Sequence, residues 1–289
     1  MMAPEYYVFT GGVVPLRVTH VLIAEALNFV RAEAFCQHPN IEEVICHDGV
    51  EKIEEDAFHN CPRLRRVIIP GVKEIERYAF RMCTALTSIE CGKLEIIREL
   101  AFIGCKSLSS VDLPSIRIVE RSAFERCWNL INAKFGKDLE SISGRAFCGC
   151  TSLECIALPL KEDMIDADNT FALCIKLRHI DLVGGVHQTI AALLMDEWKN
   201  DMNEEIDSIS RVLPNTFAGE IFCEVGGKAL EIRTWIRSVL SKIIHYKAEH
   251  RRCLNVATTT LQSSLPNDIV LKNVLPFLEL PSYTFQGED

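Results

Sequence analysis

Phenylalanine recurs along this chain at Phe35, Phe58, Phe80, Phe102, Phe124, Phe147 and Phe171, in steps of 23, 22, 22, 22, 23 and 24 residues. No other feature constrains the fold as much. A unit of 22–24 residues is too short to bury its own apolar face. Copies must therefore stack, joining their apolar columns into one elongated core.

Other columns keep the same period. Ala34, Ala57, Ala79, Ala101, Ala123 and Ala146 precede the phenylalanines, with Thr170 in the last copy. Cys61, Cys83, Cys105, Cys127, Cys150 and Cys174 follow three residues after Phe, and His38 holds that place in the first copy. Leu64, Leu86, Leu108, Leu130, Leu153 and Leu177 come three residues later, with Ile41 first. Five residues before Phe stand Val30, Ile53, Ile75, Ile97, Val119 and Ile142. The last copy breaks that column with Asp166.

Each copy holds one short alternating segment, such as Val67-Ile68-Ile69, Val111-Asp112-Leu113 or Ile180-Asp181-Leu182. Apolar residues at every second position predict a strand with one buried face. Pro70, Pro114 and Pro159 follow several of these strands, and proline, lacking an N–H, is expected to end the ladder there. The stretch around Ala-Phe, for example Glu54-Glu55-Asp56-Ala57-Phe58, reads as one helical turn on the opposite side. Parallel strands then line one concave wall of a solenoid.

The columns Leu-x-x-Val-x-Leu-Pro (Leu108 to Pro114, and Leu64 to Pro70 with Ile69 in place of the second Leu) followed by Ile-x-x-x-Ala-Phe-x-x-Cys (Ile53 to Cys61) resemble the BspA-like, or Treponema-type, leucine-rich repeat. The likeness runs from Leu16 to Val183. It implies an α/β fold class: a curved leucine-rich-repeat solenoid with a parallel sheet on its concave face. It also implies binding of other molecules, usually proteins, and bacterial members are often cell-surface proteins.

After Gly184-Gly185 the period vanishes. Ile190, Leu194, Trp198, Met202, Ile206, Ile209 and Leu213 share one face of an amphipathic helix closed by Pro214. A second helix is predicted from Leu230 through Trp235, Val239 and Ile243, with Leu254 and Leu261 inward, to about Ser263. A third, short helix is expected over Asn267 to Leu275. The expected organisation is an N-terminal extension or cap over 1–15, a repeat solenoid over 16–183 and a helical cap or interaction region over 184–289.

Composition narrows the function classes. The chain has 289 residues, 31 Lys+Arg against 40 Asp+Glu, and net charge −9, spread evenly. That balance gives no global reason to expect nucleic acid as a partner. No apolar run reaches the roughly 18–20 residues of a membrane-spanning helix. Met1 to Thr10 carries no Lys or Arg and no apolar core, so it does not read as a signal peptide. The 13 cysteines cannot all pair within one chain, and six of them form a repeat column. They read as small buried apolar residues in a reducing, cytoplasmic setting.

No phosphate loop, nucleophile elbow or zinc-protease motif is present. His245-Tyr-Lys-Ala-Glu-His250 has the wrong spacing for zinc and reads, with Lys247, Arg251 and Arg252, as a solvated basic helix face. No metal, cofactor or catalytic residue is expected. Leu265 to Leu278 resembles the start of an F-box, an element of substrate adaptors of ubiquitin ligases, although only 11 residues follow it.

The outward strand positions supply the expected partner-binding residues: Leu22, Glu43, Ile45, Arg66, Ile68, Glu90, Asp112, Lys134, His179 and Asp181. Leu22, Ile45 and Ile68 should lie side by side as an exposed apolar stripe, covered or not by residues from Met1 to Gly12. The resulting expectation is a non-enzymatic module that binds a protein partner of unknown identity on the concave face. A ubiquitin-ligase adaptor and a secreted or surface adhesin are the alternatives. The sequence does not fix the oligomeric state.

Overall fold

The structure is a computed structural model and describes residues 5–216 and 227–264. Fifteen strands run in chain order: β1 (Tyr7–Phe9), β2 (His20–Ile23), β3 (Phe29–Val30), β4 (Glu43–Ile45), β5 (Lys52–Ile53), β6 (Arg66–Ile68), β7 (Glu74–Ile75) and β8 (Ser88–Glu90). They continue as β9 (Ile96–Ile97), β10 (Ser110–Leu113), β11 (Ile118–Val119), β12 (Asn132–Phe135), β13 (Ser141–Ile142), β14 (Cys155–Pro159) and β15 (His179–Val183). All pairings are parallel, and each repeat contributes one coil of a β-solenoid of about seven turns, followed by helices.

Each coil has three walls. The strand wall holds the alternating segments, whose inward residues Val21, Val44, Val67, Val111, Ala133, Ile156 and Ile180 are buried. A second wall consists of two-residue strands in the order β3-β5-β7-β9-β11-β13. Val30, Ile53, Ile75, Ile97, Val119 and Ile142 point inward from it. In the last copy Ile165, not Asp166, bridges Ile142, so the 24-residue step is absorbed as a one-residue shift.

The Ala-Phe stretch forms the third wall, and it is not helical. The residues two before and two after Phe adopt left-handed backbone, as at Tyr78 (φ 60°), Met82 (φ 59°), Leu100 (φ 62°) and Gly104 (φ 73°). Alternating handedness aims every second N–H group at the neighbouring coil, as at Asp56, Phe58 and Asn60, while those between close local turns. Phe58 N thus donates to Ala79 O, Phe80 N to Ala101 O and Phe102 N to Ala123 O, each at 2.8 Å. Left-handed backbone costs about 1 kcal/mol per non-glycine residue. Pairing backbone groups that would otherwise be buried unsatisfied offsets that cost.

Inside, the seven phenylalanines form one ladder. Rings from Phe35 to Phe171 stack at 4.8–5.6 Å between centroids, with interplanar angles of 3–15°. Phe9 adds a tilted eighth ring at 4.6 Å from Phe35.

The cysteine column is buried as expected, but it is more than apolar filling. Each thiol donates to the carbonyl of the phenylalanine one coil back, from Cys61 Sγ to Phe35 O (2.9 Å) through Cys105 Sγ to Phe80 O (3.1 Å) to Cys174 Sγ to Phe147 O (3.1 Å). Among the described residues every cysteine is a free thiol. Burial pushes the Cys127 thiol up to about 12 and those of Cys83, Cys105 and Cys150 well above the usual thiol range.

The strand wall is not continuous. β1, β2, β4, β6 and β8 form one sheet, and β10, β12, β14 and β15 another; β8 and β10 do not pair. A narrow slot lies there, bordered by Ile89, Val111, Asp112 and Leu113, with Phe102 and Phe124 at its floor. The second wall and the turn wall continue across it. Pro159 does not follow its strand but is the last residue of β14, opposite Val183, where the ladder ends.

Gly184 and Gly185, both with positive φ, turn the chain into α1 (Val186–Ala191). The predicted single helix over Ile190 to Leu213 is in fact broken. The chain bends at Leu193 to Met195 and restarts as α2 (Asp196–Val212), whose Asp196 and Glu197 suit a helix N-terminus. Leu193 is buried and Leu194 exposed. Pro214 sits in a 3₁₀ turn that follows α2. α3 spans Lys228–Ser264; Trp235, Val239 and Ile243 face inward, Leu254 is half-buried and Leu230 is exposed.

These helices continue the solenoid core through Val186, Ile190, Met202, Ile209, Leu213, Ile232, Trp235 and Ile236. Lys228 is buried and donates to Leu177 O (2.7 Å) and to Leu213 O, tying the last coil to α2 and α3. Arg233 pairs with Asp168, and Arg237 with Asp163. The expected solvated face around His245 is corrected in part: His245 is exposed, but Lys247 and His250 are buried. Phe217, Phe222, the predicted helix over Asn267 to Leu275 and the F-box-like segment 265–278 lie outside the described residues.

Candidate functional site

The strand wall presents two outward rows, fixed by strand register. One row runs Val8, Leu22, Ile45, Ile68 and Glu90 across β1, β2, β4, β6 and β8. Beyond the slot it resumes as Asp112, Lys134, Ala157 and Asp181 across β10, β12, β14 and β15. The other row is His20, Glu43, Arg66 and Ser88, then Ser110, Asn132, Cys155 and His179.

Leu22, Ile45 and Ile68 therefore do lie side by side, each half-buried by its neighbours. Of the segment expected to cover this stripe, residues 1–4 lie outside the described residues. Residues Tyr7–Phe9 add an edge strand, and Val8, 54% exposed, lengthens the apolar row. The alternation Tyr7-Val8-Phe9 is the sequence signal for this strand, and it matches Val21-Leu22-Ile23 in register.

Beside the stripe, charged groups are tied together. Arg66 Nη1 donates to Glu43 Oε1 (3.1 Å), while its Nε and Nη2 both reach Glu90 Oε1 (2.9 and 2.6 Å). Tyr6 Oη donates to Glu43 Oε2 at 2.5 Å, and its ring stands edge-on to His20. The hydrogen bond to Glu43 holds the Tyr6 phenol above its usual range. These links fix the polar border of an apolar strip.

The ten expected residues do not converge on one site. Leu22, Glu43, Ile45, Arg66, Ile68 and Glu90 belong to the first sheet. Asp112 and Lys134 face each other across the second, and His179 and Asp181 lie at its far end. There His179 Nδ1 is 3.5 Å from Ser210 Oγ on α2, and Cys155 Sγ donates to Asp181 Oδ2 (3.3 Å). Ala157, expected outward, is buried. No three His, Cys, Asp or Glu side chains among the described residues are grouped to hold a metal. No described helix is long and apolar enough to cross a membrane.

The second wall escaped the sequence reading and is heavily ion-paired. Lys52 pairs with Glu74 (3.3 Å) and Glu76 (2.5 Å), and Arg98 with Glu74 (2.6 Å) and Glu120 (2.7 Å). Along its border the sign alternates at the repeat period: Glu51, Lys73, Glu95, Arg117, Glu140. Lys73 reaches Glu51 at 2.9 Å and Arg117 reaches Glu140 at 2.7 Å. That alternation was present in the sequence.

Residues 16–115 and 73–193 match the family described as the BspA type leucine rich repeat region, in six copies. The chain belongs to this family. Its solved relatives are distant. A Treponema pallidum leucine-rich repeat protein is similar at 24% identity and TM-score 0.48, over 60% of this chain and 78% of that one. A leucine-rich repeat protein from Bacteroides ovatus is similar at 24% identity and TM-score 0.49, over 58% and 43% of the two chains. The pneumococcal vaccine antigen PcpA is similar at 16% identity and TM-score 0.44, over 54% and 44%. The chain thus spans less than half the length of the last two. No curated protein matches the chain.

Proposed function

We propose that this leucine-rich repeat protein is a non-enzymatic binding module that takes a protein partner on the first sheet of its strand wall. The observation that carries this reading is the uninterrupted row Val8, Leu22, Ile45 and Ile68, bordered by the fixed Tyr6–Glu43–Arg66–Glu90 network. An apolar strip with a polar rim has the anatomy of a protein interface. Each side chain stands on a paired strand, so little conformational entropy is lost on docking. Asp112, Lys134, His179 and Asp181 extend the surface beyond the slot. The free, buried thiols support a reducing, cytoplasmic setting. Membership of a repeat family built for binding supports the absence of catalysis.

Affinity capture with the wild type and with Leu22→Asp/Ile45→Asp/Ile68→Asp tests the site. Partners retained by the wild type should be lost with the triple variant, while its circular dichroism stays native. A partner set unchanged by the substitutions rejects it.

A further inference from the structure

The turn wall carries a second surface of opposite character. In the segments 77–84, 99–107, 121–129 and 144–151 the cations are Arg77, Arg81, Lys106, Arg121, Arg126 and Arg145, against only Glu99 and Glu125. This excess stands on a chain of net charge −9. Glu125 is buried and held by Arg145 Nη2 (2.8 Å), and Glu99 lies 3.7 Å from Arg77. Among the described residues Arg81, Lys106 and Arg121 have no carboxylate within 4.0 Å.

Aromatic rings take the place of carboxylates. Lys106 Nζ sits 4.6 Å from the centre of the Trp128 ring, and Arg77 and Arg81 lie over Tyr78 at 4.4 and 5.0 Å. Trp128 is 45% exposed, and Met82, two coils earlier on the same wall, is exposed as well. Such cations are pre-positioned yet still able to accept an anion. Trp and Arg are also the residues that most often anchor interfaces.

Geometry limits the occupant. Coils advance by 5.1–5.3 Å between Phe80 and Phe147. The patch from Arg81 to Arg145 is therefore about 15 Å long, the reach of about five extended residues. Among the described residues, carboxylates that no arginine holds bound it at both ends, Glu33 and Glu55 before and Asp166 after, whereas Asp163 and Asp168 are already paired with Arg237 and Arg233. A long polyanion would run onto those carboxylates and be repelled. A short acidic segment would not.

We propose that this face of the turn wall binds a short acidic polypeptide segment carrying an apolar or aromatic residue. The carboxylates meet Arg81, Lys106, Arg121 and Arg126, and the apolar residue packs on Trp128. The surface is separate from the strand wall, so the two readings stand or fall independently.

The test uses the full chain and a fluorescent ten-residue Asp/Glu-rich peptide with one Phe, read by anisotropy. A Lys-rich peptide, a single-stranded oligonucleotide of 20 nucleotides and phosphatidylserine vesicles are the competing probes. Binding of the acidic peptide should weaken about tenfold or more in Arg81→Glu/Lys106→Glu/Arg126→Glu and with added salt. It should be unchanged in Leu22→Asp/Ile45→Asp/Ile68→Asp. Peptide-induced change in tryptophan emission should disappear in Trp128→Phe. If the charge-reversed chain unfolds, Lys106→Gln/Arg126→Gln must weaken binding in its place. Failure of the acidic peptide to bind, indifference to these substitutions, or tighter binding of the oligonucleotide or vesicles overturns the proposal.

Discussion

Replacing one ring in the middle of the phenylalanine ladder tests whether coil-to-coil ring packing holds this solenoid together. Phe102 is 1% exposed, and its ring lies between those of Phe80 (5.1 Å, 4°) and Phe124 (5.2 Å, 5°). Phe102→Ala opens a cavity that rigid walls on every side cannot fill, which costs about 3–5 kcal/mol. Phe102→Leu keeps most of the apolar volume and loses two ring contacts of about 0.5–1.5 kcal/mol each. At roughly 2–4 °C per kcal/mol for a chain of this class, the alanine variant should melt about 10 °C lower and the leucine variant about half as far. Urea denaturation followed by circular dichroism measures both. The decisive experiment is a pair of double-mutant cycles. Phe80→Leu with Phe102→Leu, in ring contact, should show coupling near 1 kcal/mol, whereas Phe58→Leu with Phe102→Leu, one coil further apart, should add within about 0.5 kcal/mol. Equal coupling in the two cycles, or a Phe102→Leu variant as stable as the wild type, would refute nearest-coil packing as the source of stability.

Further predictions concern thiols, charge and close contacts. Burial raises the thiols of Cys83, Cys105, Cys127, Cys150 and Cys174, so in the native protein the exposed Cys253 should react before them with a disulfide reagent, and near 13 thiols should titrate after denaturation. Mostly oxidised cysteines would remove the support for a reducing compartment. Burial raises Glu125, but hydrogen bonds from Arg145 and Ser122 outweigh it and hold the carboxyl below its usual value. The group therefore stabilises the fold above the unfolded carboxylate pKa, and this is lost as pH falls through the lower folded value; Glu125→Gln should flatten that acid limb in pH-dependent urea melts. Lys228→Met leaves the buried Leu177 and Leu213 carbonyls without that donor, and hydrogen exchange should show α3 loosening before the solenoid does. Gly136→Ala would place a methyl 1.8 Å from Pro114 O, so its melting temperature should fall although the site is a loop.

The repeat columns made most of the solenoid legible. A residue type that recurs every 22–24 positions records a contact with its own copy next door. Leu22 opposite Ile45 opposite Ile68 follows from the period alone. What escaped has specific causes. Lys52–Ile53 is a strand of two residues, too short to show alternation, and pairing with its neighbouring coils is what makes it one. Glu54 to Phe58 has helix-like composition, but the Asp56 and Phe58 N–H groups bond to the next coil and that of Glu54 to the previous one, long-range choices no local propensity encodes. Spacings of four ran on from Ile190 to Leu213 through the bend at Leu193 to Met195 because the inward position passed from Leu194 to Leu193. Lys247 and His250 read as solvated because they are polar, whereas their burial is set by tertiary packing. Nothing in the columns announced the slot between β8 and β10, and Ile89, Cys91 and Gly92 there offer no local reason for it.

That slot has a mechanical meaning. Two of the three walls carry unbroken backbone bonds past it, so the solenoid resembles a leaf spring notched on one side. Bending strain concentrates at a notch. The sheet bearing Leu22, Ile45 and Ile68 and the sheet bearing Asp112 and Lys134 have no strand ladder between them, so their mutual angle is held by the other two walls and the core. A partner spanning both sheets would bridge a gap that no backbone pairing of the strand wall closes.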